Sequence, residues 1–503
     1  VPLVVSTDII TTANSDHAID NGNQSVYVAA GVLVAAQGFN AYGVYSPSYI
    51  QLTVAGEIYG TGSGVYGADG TANIRVNTGG SISSDSYAVL LSGDGTIRND
   101  GFIGGSVGIG GGYAGTRFTI TNSGTIMGGT GITLSPSNAN AETTIRNSGT
   151  ISGSSNALLL SAGGDTVINS GALLGNVYMG SGDDYFDSQA GIVDSEVSGQ
   201  AGDDILIGSA FDDVLNGGAG ADEMHGGAGS DTISYNGGNG VYFDLQNGAL
   251  NTGDAAGDIW TSMENITGSS FVDQIFGDAI GNRIDGRGGD DRLDGRGGND
   301  VLDGGFGADR MTGGAGNDIF YVDNIADVVI EAFNQGNDEV RSTISYSLQN
   351  QYVEKLTLLG SAAINATGNA YDNIIVGNDA ANVLEGRLGK DILTGKSGAD
   401  QFVMTGAPGA ANMDRITDFA PTVDKIVIDK SYYAQIGALG DLAPAAFKVI
   451  GDTIDASDRI LYNASTGILY YDADGSGAAA VPLAFAQVTA GLALSASDFL
   501  IVA

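Results

Sequence analysis

Between Gly268 and Tyr321 six nine-residue units follow one another without a gap, the last four reading GRGGDDRLD, GRGGNDVLD, GGFGADRMT and GGAGNDIFY. Each unit closes a glycine-rich turn with an aspartate or asparagine at its sixth place and sets an apolar residue at its eighth, so a turn and a short strand alternate. Two units complete one coil. Aspartates two units apart are therefore expected to stack on one edge, Asp291 with Asp309 and Asp300 with Asp318. Glycines allow positive φ, which lets carbonyl oxygens as well as carboxylates converge on a hard cation that takes six to eight oxygen ligands. Calcium fits that donor set. Zinc and copper sites draw on cysteine or histidine, and this chain has no cysteine and only His17 and His225.

The elements that must position these aspartates fall into three blocks. Residues 199–234 carry Asp204, Asp213, Asp222 and Asp231 at sixth positions, after an isolated half-unit, GSGDDYF, with Asp184. Residues 268–321 carry Asp273, Asn282, Asp291, Asp300, Asp309 and Asp318, and residues 368–403 carry Asn373, Asn382, Asp391 and Asp400. Asparagine keeps an oxygen but loses the charge, so Asn282, Asn373 and Asn382 are expected to be weaker ligands. Asp472 and Asp474 in DADGSG have the alternate spacing of a calcium loop without its twelfth-position glutamate, and a plain strand turn accounts for them equally well. The pattern resembles the RTX (repeats-in-toxin) proteins, with consensus GGxGxDxUx where U is a large apolar residue. The resemblance covers about residues 199–403 and implies calcium bound at multiple sites in a β-roll. It also implies export from a Gram-negative bacterium by a type I secretion machinery that reads an uncleaved C-terminal signal.

Upstream, a looser period surrounds aligned glycines at 31, 56, 80, 101, 124, 149 and 171, with 191 as an eighth, as in TITNSGTI and TTIRNSGTI. An interval of 20–25 residues suits one rung of a parallel β-helix, with Asn-Ser-Gly at the corner and branched apolar residues inside. The expected fold is all-β: a right-handed parallel β-solenoid in which an N-terminal β-helix continues into calcium β-rolls and ends in a C-terminal β cap. Its expected segments are 1–25, a cap or assembly segment; 26–198, the β-helix; 199–403, the β-roll with wider rungs between blocks; and 404–503, the cap and secretion signal.

Composition narrows the function. With 58 acidic against 19 basic residues the net charge is −39, and most of the excess lies beyond residue 198. Such a chain repels phosphate backbones, which excludes nucleic-acid partners. No run of about eighteen apolar residues is present for membrane insertion, and Val1–Ile10 reads as lacking a cleavable signal peptide. Yet 42% of the residues are apolar, too many for a disordered acidic tail. Zinc proteases need HExxH, and neither histidine lies in one. Ser106 in GGSVG is the one GxSxG match, expected by chance among 82 glycines. No Walker loop occurs, and the first lysine is Lys355.

A polyuronate lyase or epimerase on the β-helix would need cations for substrate carboxylates, and the segment offers only Arg75, Arg98, Arg117 and Arg146. The expectation is therefore no enzyme, but a secreted, calcium-stabilised structural protein outside the cell or on its surface. It would self-associate through its ends or faces into an S-layer, fibre or matrix. An adhesin for a polysaccharide or host surface is the alternative, with Tyr42, Tyr45, Tyr49, Tyr59, Tyr66, Tyr87 and Tyr113 as its aromatic zone.

Overall fold

The computed structural model describes residues 2–12, 17–22, 24–38, 40–112, 116–134, 142–477 and 481–503; Tyr113 lies outside them. The chain forms two compact units, residues 1–270 and 271–503, so the partition falls inside the second repeat block.

In the first unit one twelve-stranded parallel sheet runs from Leu3–Val5 to Ile259–Thr261, each strand pairing with its equivalent one rung later. Ile74 pairs with Ile97, Ile97 with Ile120, and Ile120 with Ile145. All four are buried, as are Ile82, Ile103, Ile126 and Ile151 from the strands opposite. Alternation along each strand supplies this core: in Phe118–Asn122 the first, third and fifth residues point inward and the two threonines outward. The strands from Leu3 to Asp20 are themselves a rung, in register with residues 26–28, 34–36 and 42–45.

The turns between rungs need their own partners. Asn99, Asn122, Asn147 and Asn169 are buried and form a ladder, each donating its side-chain amide to the carbonyl oxygen of the next at 2.7–2.8 Å, with Asn169 donating to Ser188 Oγ at 3.0 Å. The glycine two residues after each asparagine serves packing: a Cβ on Gly149 would come within 2.9 Å of the Gly124 nitrogen and closer still to its carbonyl.

Along the unit the rung contracts. The ladder steps of 23, 25, 22 and 19 residues give way to 18 at the first repeats. Along the same stretch separate segments such as Phe102–Gly104 and Val107–Gly111 are replaced by one continuous strand, as in Thr150–Leu159. Residues 235–258 interrupt the stack without changing its register: Glu223–His225 pairs directly with Ile259–Thr261, and the insertion packs Phe243 against Tyr235 and Trp260.

The second unit repeats the two-sided rung. Arg292–Gly297 stacks on Arg310–Ala315, and opposite them Val301–Asp303 stacks on Ile319–Val322. At its far end the pattern changes to antiparallel pairing of Ile460–Asn463, Ile468–Tyr471 and Leu483–Gln487, while Phe499–Val502 lies parallel on Lys425–Asp429 as a last rung strand. Tyr433, Tyr471 and Phe485 fill this C-terminal β cap with edge-to-face contacts.

The asparagine ladder makes a stability prediction. Asn147→Ala removes an acceptor from Asn122 and a donor from Asn169 inside the wall, which costs about 1–3 kcal/mol. Urea unfolding followed by far-ultraviolet circular dichroism in chelator should show that loss, whereas Ser148→Ala at the corner should stay within about 0.5 kcal/mol.

Candidate metal centre

The sixth-position aspartates stand on the inner side of each turn, and they hold successive coils together. In most of them one carboxylate oxygen accepts the backbone N–H of the sixth-position residue one coil earlier. Asp222 accepts from Asp204 at 2.9 Å, Asp309 from Asp291 at 2.8 Å, Asp318 from Asp300 at 2.7 Å, and Asp400 from Asn382 at 2.8 Å. The predicted stacks of Asp291 with Asp309 and Asp300 with Asp318 are thus direct hydrogen bonds.

The other oxygen has no protein donor. Oδ2 of Asp184, Asp204, Asp222, Asp231, Asp291, Asp300, Asp309, Asp318, Asp391 and Asp400 is buried without a hydrogen-bond partner. Burial pushes these carboxyls up, to about 7 for Asp204, Asp291, Asp300 and Asp391, to about 6 for Asp222, Asp231, Asp309 and Asp400, and to about 8 for Asp184. Stacked carboxylates add to the rise, as Asp222 does for Asp204. The unpaired oxygen faces the first glycine of its own turn. A Cβ on Gly286 would sit 2.6 Å from Asp291 Oδ2 and 2.8 Å from the carbonyl oxygen of Gly304, one coil on. Carboxylate and carbonyl oxygens thus converge on a space that a methyl group would fill. This donor set suits a hard cation with oxygen ligands, and the residues fit calcium.

Turn conformation decides which aspartates are left unpaired. In turns of the form GGxG or GRGG the second and fourth residues both take positive φ, and here even non-glycine residues do so, Arg287 at 70° and Lys396 at 69°. Where serine, aspartate or asparagine fills the second place it has no positive φ, and its backbone N–H turns inward. Asp213 then has its second oxygen satisfied, accepting from Ser209 N at 2.6 Å and Ser209 Oγ at 2.8 Å, which sets it apart from the repeats beside it. The asparagines share this turn. Asn282, Asn373 and Asn382 accept from the second residue of their turns at 2.8–2.9 Å, and Asn373 and Asn382 also donate to the carbonyls of Val353 and Ile364. Asp273 donates its N–H to Asp291. Asp472 accepts from the backbone of Asp474 at 3.2 Å and of Gly475 at 3.0 Å, closing a turn in the C-terminal cap.

The ladder is longer than the repeats. Thr143 donates to Asp165 and Asp165 to Asp184, both at 2.6 Å, and Asp184 donates to Asp204, so the acidic stack begins within the β-helix. Further on, Asp258, Glu264, Asp327, Asp338, Glu354, Asp414 and Asp424 take the same position. Sequence reasoning missed them because the glycines are gone. A signal remained: each acid stands two residues before an apolar strand residue, as in Asp327-Val328-Val329 and Asp424-Lys425-Ile426.

Two predictions follow from the unpaired oxygens. Replacing Asp291, Asp300 and Asp309 together with alanine should raise the calcium concentration needed for folding, read as the circular dichroism midpoint, whereas Asp213→Ala should leave that midpoint near the parent value. Without calcium the sign of the pH effect is set by the raised carboxyls. An unfolded aspartate titrates near 3.9, so folding takes up protons. That contribution is fully present below about 4 and is lost as pH rises through the folded values of about 6 to 8. In chelator the repeats should therefore show more β signal at pH 5 than at pH 8, and calcium should restore it at pH 8.

Comparison with known proteins agrees with this geometry. The family model of the RTX calcium-binding nonapeptide repeat matches in four copies, at residues 198–233, 267–302, 294–324 and 367–402. Comparison with curated proteins gave no match. The matched segments contain the turns whose aspartates carry an unpaired buried oxygen, from Asp204 to Asp400, and the chain accordingly carries RTX nonapeptide repeats that bind calcium at multiple sites.

Proposed function

We propose that this chain is a secreted, calcium-stabilised structural protein of the cell surface that assembles with copies of itself into an S-layer, fibre or extracellular matrix. The observation that carries the reading is the extent of the repeating rung. Stacked parallel strands make up most of both units, and the only helical pieces among the described residues are 3₁₀ turns three residues long. No helix among them is long and apolar enough to cross a membrane.

The side chains that a catalytic reading would use have structural partners. Ser106 Oγ donates to the carbonyl of Asp85 at 2.6 Å. His225 bonds Glu223 at 2.8 Å and Thr261 at 2.7 Å, and His17 stacks on Tyr45 with ring centroids 4.3 Å apart. Arg75 and Arg98 pair with Asp100, and Arg117 pairs with Glu142, so three of the four arginines of the β-helix stand beside a carboxylate. Calcium acts as the switch in this reading. In a cell interior with little calcium the acidic repeats stay unfolded for passage through a type I exporter, and outside the cell the metal folds them by linkage.

One surface favours the second reading, an adhesin for polysaccharide. His17, Tyr42, Tyr45 and Tyr66 come from three successive rungs and form a half-buried aromatic strip with centroid spacings of 4.3–6.1 Å. Such a strip can stack sugar rings as readily as it can pack against another copy.

Light scattering after size exclusion, with electron microscopy, separates the two. Sheets or filaments in millimolar calcium that dissolve in chelator are expected. A monomer that never associates but is retained on a polysaccharide would favour the adhesin.

A further inference from the structure

At the end of the second repeat block the calcium turn changes its construction. The turn that begins at Gly313 ends in Asp318, and one coil later the place of its first glycine is taken by Glu331. The Glu331 side chain reaches back along the stack, and its Oε1 accepts the N–H of Gly313 at 3.0 Å. A Cβ on Gly313 would strike both Glu331 Oε1 and Asp318 Oδ2, whereas the equivalent atom on Gly286 meets a carboxylate and a backbone carbonyl. A charged oxygen thus stands where the other turns place a neutral one. The third member is Asp338, whose Oδ1 accepts the N–H of Asp318 at 2.9 Å. One carboxylate oxygen from each of the three lies within 4.8 Å of the others, and all three residues are buried.

The cluster also shows a need for a ligand that hydrogen bonding within the protein does not meet. Asp318 is 1% exposed and Glu331 8%, yet Asp318 Oδ2 and Glu331 Oε2 have no partner. Calcium–oxygen distances of about 2.3–2.6 Å let ligands of one ion stand up to about 4.6–5.2 Å apart, so three oxygens within 4.8 Å of one another can share one ion. Magnesium is a poorer fit, because it holds several waters in a strict octahedron and a buried trio of carboxylates leaves little room for them.

We infer that Asp318, Glu331 and Asp338 form a calcium site of a different kind from the glycine-turn sites, held by three side-chain carboxylates, and that it fills first. The inference rests on the calcium-binding reading of the repeats. Affinity in oxygen-ligand sites rises with the number of charged ligands, and this site has more than its neighbours. Calcium bound there would order the last turn of the block and supply an edge on which earlier coils stack.

Competition titration of the full-length chain against a chromophoric calcium chelator tests it, with circular dichroism in saturating calcium to show that each variant folds. The parent protein is expected to show one step tighter than the rest. Glu331→Gln should weaken that step by about tenfold or more while the remaining steps persist. Glu331→Gly, which restores the residue found at this place in the other turns, should do the same without a steric penalty. A tightest step unchanged in both variants would overturn the site while leaving the repeats as calcium binders. A parent chain that takes up no calcium would overturn the broader reading along with it.

Discussion

One hydrogen bond and the charge it leaves behind govern the repeat region. To stack coils 18 residues apart, each glycine turn that ends in an unpaired aspartate commits one carboxylate oxygen to the backbone of the coil before it, as Asp309 does for Asp291. The geometry that makes this bond also draws the second oxygen out of water. A polypeptide coil narrowed to two strands has no donor left for that oxygen, because the glycines that shape the turn present carbonyls to it, as Gly304 does beside Asp291. A buried, unpaired carboxylate is costly, and in a stack its neighbours carry the same charge. A divalent cation resolves both difficulties, which ties the fold of this region to the metal.

The β-helix meets the same stacking requirement with neutral groups. Asn122 gives and receives an amide hydrogen bond within one ladder, so the corner is satisfied without a charge. The two solutions overlap where the rung contracts. Asp165 and Asp184 already stand in the acidic stack while Asn169 and Ser188 end the neutral one. The protein therefore passes, over about two rungs, from a solenoid whose corner groups satisfy one another to one whose turns leave carboxylate oxygens unpaired.

Much of this was legible in the chain. The nonapeptide frame gave the stacking partners of Asp291 and Asp300, and the recurring Asn-Ser-Gly marked the corners of the β-helix. Other features depend on geometry that spacing does not carry. Asp213 has the right position, yet Ser209 in place of a left-handed glycine turns a backbone N–H toward it and satisfies it internally. Asp327, Asp414 and Asp424 have the ladder position without the glycines, and a consensus built on turns passes over them. Glu331 stands where the frame calls for a glycine and Asp338 lies 20 residues from Asp318 rather than 18, so only the stacked structure brings the three together. Likewise His17, Tyr45 and Tyr66 become neighbours through rung stacking across more than forty residues of sequence.

The claim that calcium compensates the unpaired carboxylates of the repeats, while the asparagine-laddered β-helix stands alone, is tested most directly by hydrogen exchange resolved along the chain, with and without calcium. Chelation should strip protection from the strands that follow the glycine turns, including Arg292–Gly297, Ile319–Val322 and Ile392–Thr394, and leave it in Gly95–Asn99, Phe118–Asn122 and Thr143–Asn147. Protection that persists in the repeats without metal, or that is lost equally in both regions, would contradict it.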